Sequence, residues 1–263
     1  MAALMKGAAN VSMKVEDLAE FQFPLPPLDV QNEIVAAVDG FQRVIDGARA
    51  VVSNYRPNIP AHQDWPLVAL GDTNTFRIES GGTPRSDTAE YWGGSIPWAT
   101  LADLPSSDFV SDVIATQRTI TELGLAQSSA SLLPPNSVLV STRATVGRIG
   151  INRVPMATNQ GFKNVVIIDT GRATPEYVAF ALTELVPTMD AWATGGTFKE
   201  LSKSKFSELQ IPLPSLDVQH SIVADIQAER SLVAANHSLI AGFETKIQTV
   251  LDPMWAEDDS VSA

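Results

Sequence analysis

Apolar positions follow two different periods along this chain of 263 residues. Near the start, Val38, Ile45, Val52 and Ile59 recur every seven residues, with Ile34, Phe41, Ala48 and Tyr55 between them. Near the end the same spacing returns as Ile226, Val233, Ile240 and Ile247, interleaved with Ile222, Glu229, Asn236, Phe243 and Val250. Alternating steps of three and four residues are the a and d positions of a helical seam. Held over some four repeats, each predicts a helix about 40 Å long at 1.5 Å per residue. Two amphipathic helices lying on a globular core would share this pattern. Two matched, uninterrupted stretches favour a coiled coil, formed within the chain or between chains.

Between them, from Trp65 to Gln210, the period shortens. The runs 137–142 (SVLVST), 148–152 (RIGIN) and 164–169 (NVVIID) are rich in β-branched residues and bounded by Gly or Pro, which predicts strands. Residues 174–189 predict a helix, with Thr174 as N-cap, Pro175 in its first position and Glu176 in its first turn. A shorter helix is expected over 202–209. The fold class is therefore α+β: one mixed α/β domain flanked by two long helices.

Each long helix is introduced by nearly the same words. LPPLDVQNEIV occupies residues 25–35 and LPSLDVQHSIV residues 213–223, an offset of 188. The match continues upstream, more weakly, as KGAANVSMKVEDLAEFQFPLP against TGGTFKELSKSKFSELQIPLP. The prolines fix φ and remove N–H donors, so each opening segment is an extended connector. Asp29 and Asp217 stand where helix N-caps are expected. Gln31 and Gln219 follow in the first turn, placed either to cap their own helices or to hold the adjoining domain or a partner.

Composition narrows the chemistry. Cysteine is absent, which removes disulfides, thiolate nucleophiles and Cys-ligated metals. His62, His220 and His237 have no metal-ligand spacing, so no metal site is expected. GGTFKELSKS is not a Walker A loop, and no G-x-G-x-x-G follows a strand. The segment Asp252-Pro253-Met254-Trp255 lacks the second proline of an amino-methyltransferase motif and follows a helix where that motif follows a strand. No apolar run of about 18 residues suggests a membrane span, and nothing at the N-terminus looks like a secretory signal. A cytoplasmic protein without catalytic residues of its own is expected. The net charge of −12 argues against indiscriminate coating of nucleic acid. The charge is uneven, however: residues 65–215 hold eleven of the eighteen Lys and Arg, and residues 216–263 only two, against eight Asp and Glu. A phosphate-contacting surface would have to lie in the middle.

That middle carries a series of phrases: ESGGTPRSDTAEYWGGSIPWATLADL (79–104), TITELGLAQSSASLLPPNSVLVSTRATVGRIGI (119–151), TNQGFKNV (158–165) and TGGTFKELSKSKFSELQIPLPSLDVQ (194–219). In this order they resemble the specificity subunit of type I restriction-modification systems, from about residue 8 to residue 251. The resemblance implies target-recognition domains, each followed by a conserved helix, with the helices paired as an antiparallel coiled coil that spaces two DNA half-sites. It implies residues 1–28 as the stub of a first recognition domain, 29–60 as the first long helix and 61–215 as a complete recognition domain. Residues 216–251 become the second helix and 252–263 an acidic tail expected to be disordered. It further implies a non-catalytic, sequence-specific reader of double-stranded DNA. Such a reader docks adenine methyltransferase subunits, which carry S-adenosylmethionine, and a motor-nuclease restriction subunit can join the complex.

The residues themselves are suited to that work. A reader needs cations for phosphates and polar groups for base edges. Arg77, Thr83 and Arg85 surround the Gly81-Gly82 loop, Arg143, Arg148 and Arg153 lie along TRATVGR and just after it, and Lys163 follows NQGF. Thr197, Lys199, Lys203 and Lys205 belong to or flank GGTF. The expected seam comprises Ile34, Val38, Phe41, Ile45, Val52 and Ile59 on the first helix. On the second it comprises Ile222, Ile226, Val233, Ile240, Phe243 and Ile247. The competing reading, motivated by the acidic balance and the missing first domain, is an interaction scaffold or silent recombination cassette with little DNA affinity.

With one reader per chain, a homodimer would bring two readers to a bipartite target, and its symmetry would favour a palindromic one. Light scattering is expected to give twice the chain mass; a monomer mass at every concentration would contradict this.

Overall fold

The computed structural model describes residues 25–60, 62–104, 110–195 and 199–252. The stub, the acidic tail and Thr197 therefore lie wholly or mainly outside the described residues. Helix α1 spans Leu28–Asn54, and the last helix, α6, spans Leu216–Leu251. The elements between them are, in order, β1 (Leu67–Ala69), β2 (Phe76–Ser80), β3 (Trp92–Ala99), β4 (Ser111–Val113), β5 (Thr119–Ile120) and α2 (Glu122–Ala126). The hairpin of β6 (Val138–Arg143) and β7 (Thr145–Asn152) follows, then β8 (Ala157–Thr158), β9 (Phe162–Ile167), α3 (Pro175–Glu184), α4 (Val186–Trp192), α5 (Lys203–Glu208) and β10 (Gln210–Pro212). The result is the expected mixed α/β domain with a long helix on either side in sequence. The chain divides into two compact units, residues 56–229 and the helical residues on either side of them.

In the helical unit the heptad reading describes the exposure well. On α1, Ile45 and Ala48 are buried and Ile34, Val38, Phe41 and Val52 half-buried; on α6, Val233 is buried and Ile240, Phe243 and Ile247 half-buried. The Phe41 and Phe243 rings meet at 5.5 Å, and Arg49 pairs with Glu244 at 2.7 Å. Three seam positions belong elsewhere. Helix α1 ends at Asn54, so Ile59 lies beyond it, buried in the core of the central unit with Ile222 and Ile226. The heptad count runs on through these residues because core-facing helices and coiled coils share the same apolar spacing.

The central unit is built on a five-stranded sheet ordered β2-β9-β6-β7-β4, antiparallel except where β4 runs parallel to β7. Strand alternation divides its side chains between two cores. Val138 and Val140 face Tyr177, Val178, Leu182, Phe206 and Ile222, whereas Leu139 faces Leu104, Leu133, Met156 and Phe162. A small sheet ordered β5-β3-β8 forms a third cluster around Trp98 and Ile120. Thr174 caps α3 and Pro175 opens it, as the sequence predicts, but the helix does not run to residue 189. It stops at Leu185, and α4 begins with Pro187 in its first turn, because proline cannot continue the hydrogen-bond ladder.

The two connectors part company at their glutamines. Asp29 and Asp217 are not caps but the second residues of their helices, inside the first turns, where a carboxylate favours the positive end of the helix dipole. Gln31 Nε2 donates to Pro26 O at 2.6 Å, and Gln219 Nε2 makes the corresponding bond to Pro214 O at 2.8 Å. Gln219 does more: Nε2 also donates to Arg172 O (2.8 Å), and Oε1 accepts from Thr174 N (3.0 Å). It is fully buried and ties the start of α6 to the corner before α3. The apolar neighbours differ likewise, Leu213 being 5% exposed and its counterpart Leu25 75%. Gln219→Leu should therefore cost about 2–4 kcal/mol, since three backbone groups lose their partner, while Gln31→Leu should cost about 1 kcal/mol; urea denaturation of both variants checks the difference.

Candidate nucleic-acid interface

Four loops that are distant in sequence meet along one edge of the central unit. The first is the turn after β2. Gly81 N donates to Phe162 O (3.2 Å) and Gly82 N to Thr158 O (2.9 Å), so the loop lies flat against the 158–162 turn. Neither glycine has room for a side chain: a Cβ on Gly81 would collide with the Asn159 carbonyl, and one on Gly82 with the backbone at Ser129 and Ala130. Close backbone approach is the physical reason for the Gly-Gly pair. Thr83 Oγ1 is hydrogen-bonded to Gln160 Oε1.

The 158–162 turn is bonded in its turn to the β6-β7 hairpin, through Thr142 N to Gly161 O at 2.7 Å. At the hairpin tip Ala144 holds φ 63°, a left-handed conformation that costs a non-glycine residue about 1–2 kcal/mol. Its N–H donates to Lys199 O (3.1 Å), and Leu201 N donates to Thr142 O (2.8 Å), which brings in the fourth loop. The four phrases singled out in the sequence thus form one hydrogen-bonded strip.

The expected DNA-contacting residues divide by position. Thr83, Arg85, Arg143 and Lys199 lie exposed on the strip, and Lys203 is exposed at the start of α5. Arg85 pairs with Asp87 at 2.9 Å, and this hydrogen-bonded pairing holds the Asp87 carboxyl below the usual carboxylate range. Arg143 lies 3.8 Å from Glu200, and Lys199 3.6 Å from Asp190. Such half-exposed pairs are each worth only about 0–1 kcal/mol, so a phosphate could replace the carboxylate at little cost.

The other expected residues are placed differently. Lys163 is 7% exposed and gives its ammonium to Glu200 at 3.2 Å, so it acts inside the domain. Arg77 pairs with Glu79 on the same strand, and Arg148 donates to Leu101 O at 3.3 Å. Arg153, at the far end of β7, is held by Asp112, Asn136 and Glu176.

Two tryptophans complete the strip and were not picked out from the sequence. Trp92 Nε1 donates to Arg85 O (3.0 Å) and Trp98 Nε1 to Gly82 O (2.9 Å), pinning the glycine loop from its other side. The signal was present in YWGGSIPW, but an aromatic in a strand more often reports only a core. Among the described residues no cluster of His, Cys, Asp or Glu could hold a metal, and no helix is long and apolar enough to cross a membrane.

The type I restriction modification DNA specificity domain matches residues 62–232, and the chain belongs to that family. It is 32% identical over 160 residues to the specificity subunit of the type I restriction enzyme MjaIX of Methanocaldococcus jannaschii, covering 61% of this chain and 36% of that one. The HindI specificity subunit of Haemophilus influenzae is 26% identical over 155 residues, 59% of this chain and 33% of its own. The chain thus spans about a third of the length of these relatives. Its fold is similar to that of the HsdS subunit from Thermoanaerobacter tengcongensis, with a TM-score of 0.56 at 23% identity over 98% of this chain and 66% of that one. A second solved chain, from a study of complex assembly and conformational transition of the type I restriction-modification system, gives 0.64 at 23% identity, covering 98% and 67%.

Gly81→Ala should lower stability by about 2 kcal/mol, because the added methyl group forces the loop off the 158–162 turn. Gly242→Ala, mid-helix with open space around it, should raise stability by about 0.5–1 kcal/mol. Thermal unfolding of both variants checks the contrast.

Proposed function

We propose that this chain is a non-catalytic DNA reader: its central domain recognises one half-site of a bipartite sequence, and its helices and domain dock adenine methyltransferase subunits. What supports the reading is the strip, in which four separate segments present Arg85, Arg143 and Lys199 beside backbone that can approach DNA closely. Phosphate contacts from such cations set orientation, while polar groups between them are available to base edges. The chemistry then belongs to the partner. S-adenosylmethionine is bound by the methyltransferase subunit, and this chain needs no cofactor. A restriction subunit joins the same assembly.

The observation that most of the strip's cations already have carboxylate partners fits a reader better than a coat. Non-specific affinity is held down by the internal pairs and by the overall negative charge, so binding depends on a site that completes the remaining contacts. Selection from a random pool of duplexes, with and without the methyltransferase subunit, should enrich one motif; enrichment of none in either condition favours the scaffold reading. Charge reversal at Arg143 and Lys199 together should flatten the dependence of log affinity on log salt by about two, at roughly 0.9 per phosphate contact. Circular dichroism should show an unchanged fold.

A further inference from the structure

One cation on this face was not among the expected residues. Arg118 stands just before β5, exposed, with its guanidinium carbon 3.8 Å from the ring centroid of Trp92 and 5.2 Å from that of Trp98. The two indoles meet edge to face, 5.0 Å apart at 84°. These are the same two rings whose N–H groups hold Arg85 O and Gly82 O. Arg118 is therefore fixed, through one layer of aromatic side chain, to the loop that opens the strip. Its backbone is equally constrained, since Arg118 O accepts from Trp98 N at 3.0 Å and from Thr116 Oγ1 at 2.6 Å.

Its charge is handled differently from that of its neighbours. Arg85, Arg143 and Lys199 each have a carboxylate within 4 Å. Arg118 has none among the described residues, and its guanidinium makes no hydrogen bond to any of them. A cation over an indole face is stabilised by the ring quadrupole, and that contact does not use up the hydrogen-bond donors of the guanidinium. All five N–H donors lie in the plane at its edge, in a rigid fork that matches a phosphate bidentately. Lys203 likewise has no carboxylate partner among the described residues, but its ammonium sits on a flexible stem. Arg118 alone of the two is oriented before any ligand arrives.

We infer that Arg118 is a phosphate-binding residue of the DNA face, preorganised on Trp92 and extending the strip beyond Arg85. The inference rests on the DNA-reading function proposed above. It adds a contact whose ordering is partly complete in the unbound protein, since no ion pair to a described residue has to break.

The test measures binding of the intact chain to a duplex carrying its selected motif, across a salt series. The Arg118→Gln chain should bind more weakly, and its salt slope should fall by about 0.9, one phosphate contact. The Arg118→Lys chain should keep the wild-type slope but bind more weakly, because an ammonium cannot stack and fork in the same way. Near-ultraviolet circular dichroism of the Trp92–Trp98 pair verifies the fold of both. A folded Arg118→Gln chain with the wild-type slope overturns the inference. If that variant does not fold, an Arg118→Lys chain that binds as tightly as wild type overturns it instead. Failure of the wild-type chain to bind any duplex, alone or with the methyltransferase subunit, overturns the DNA-reading function itself. The two failures are thus distinguishable.

Discussion

The peptide of Thr142 is the point on which the candidate interface depends. It is fully buried at the end of β6; its N–H donates to Gly161 O and its carbonyl accepts from Leu201 N. One residue therefore joins the 158–162 turn, the hairpin tip and the segment following GGTF. A buried peptide must have both groups satisfied, so the three loops keep a common arrangement for as long as the sheet keeps β6 in place. The Gly81-Gly82 loop joins the set by the same means, using its own N–H groups and the two indoles. Loops held by backbone bonds leave their side chains available for a ligand.

Charge on this surface is organised with restraint. Glu200 illustrates it: its carboxylate meets the buried ammonium of Lys163 and lies near the exposed guanidinium of Arg143. Leaving a buried ammonium unpaired would cost several kcal/mol, so Glu200 is committed to Lys163, and its longer contact to Arg143 is the weaker of the two. A basic residue in the sequence can therefore serve the frame or the surface, and its partner distinguishes these roles. Arg153 serves the frame three times over, while Arg85 and Lys199 hold exposed pairs that a phosphate can replace.

The repeated connector illustrates how one local motif serves two environments. Gln31 and Gln219 make the same bond back to the residue five before them, which closes the extended segment onto the helix start. Gln219 also meets the central domain, where its remaining donor and its acceptor are taken up by Arg172 and Thr174. The common bond is local and follows from the repeated sequence. The additional bonds exist because a particular corner of the fold stands opposite.

That distinction governs what could be read from the amino acids. The sequence by itself determined the two long helices, the strands at 138–143, 145–152 and 162–167 to within a few residues, the Thr174 cap and the family phrases. Each is expressed in neighbours or in a short period. It did not determine that α3 would break at Leu185, that Asp29 and Asp217 would stand inside their helices, or that Ile59, Ile222 and Ile226 would belong to the domain core. Apolar spacing is the same whichever surface the residue faces. Nor could it separate Lys163 and Arg153 from Arg85, or show Arg118 lying over Trp92, twenty-six positions away in the chain. Ion pairs, stacked rings and buried amides are made between distant segments, and the tertiary structure alone decides which segments meet.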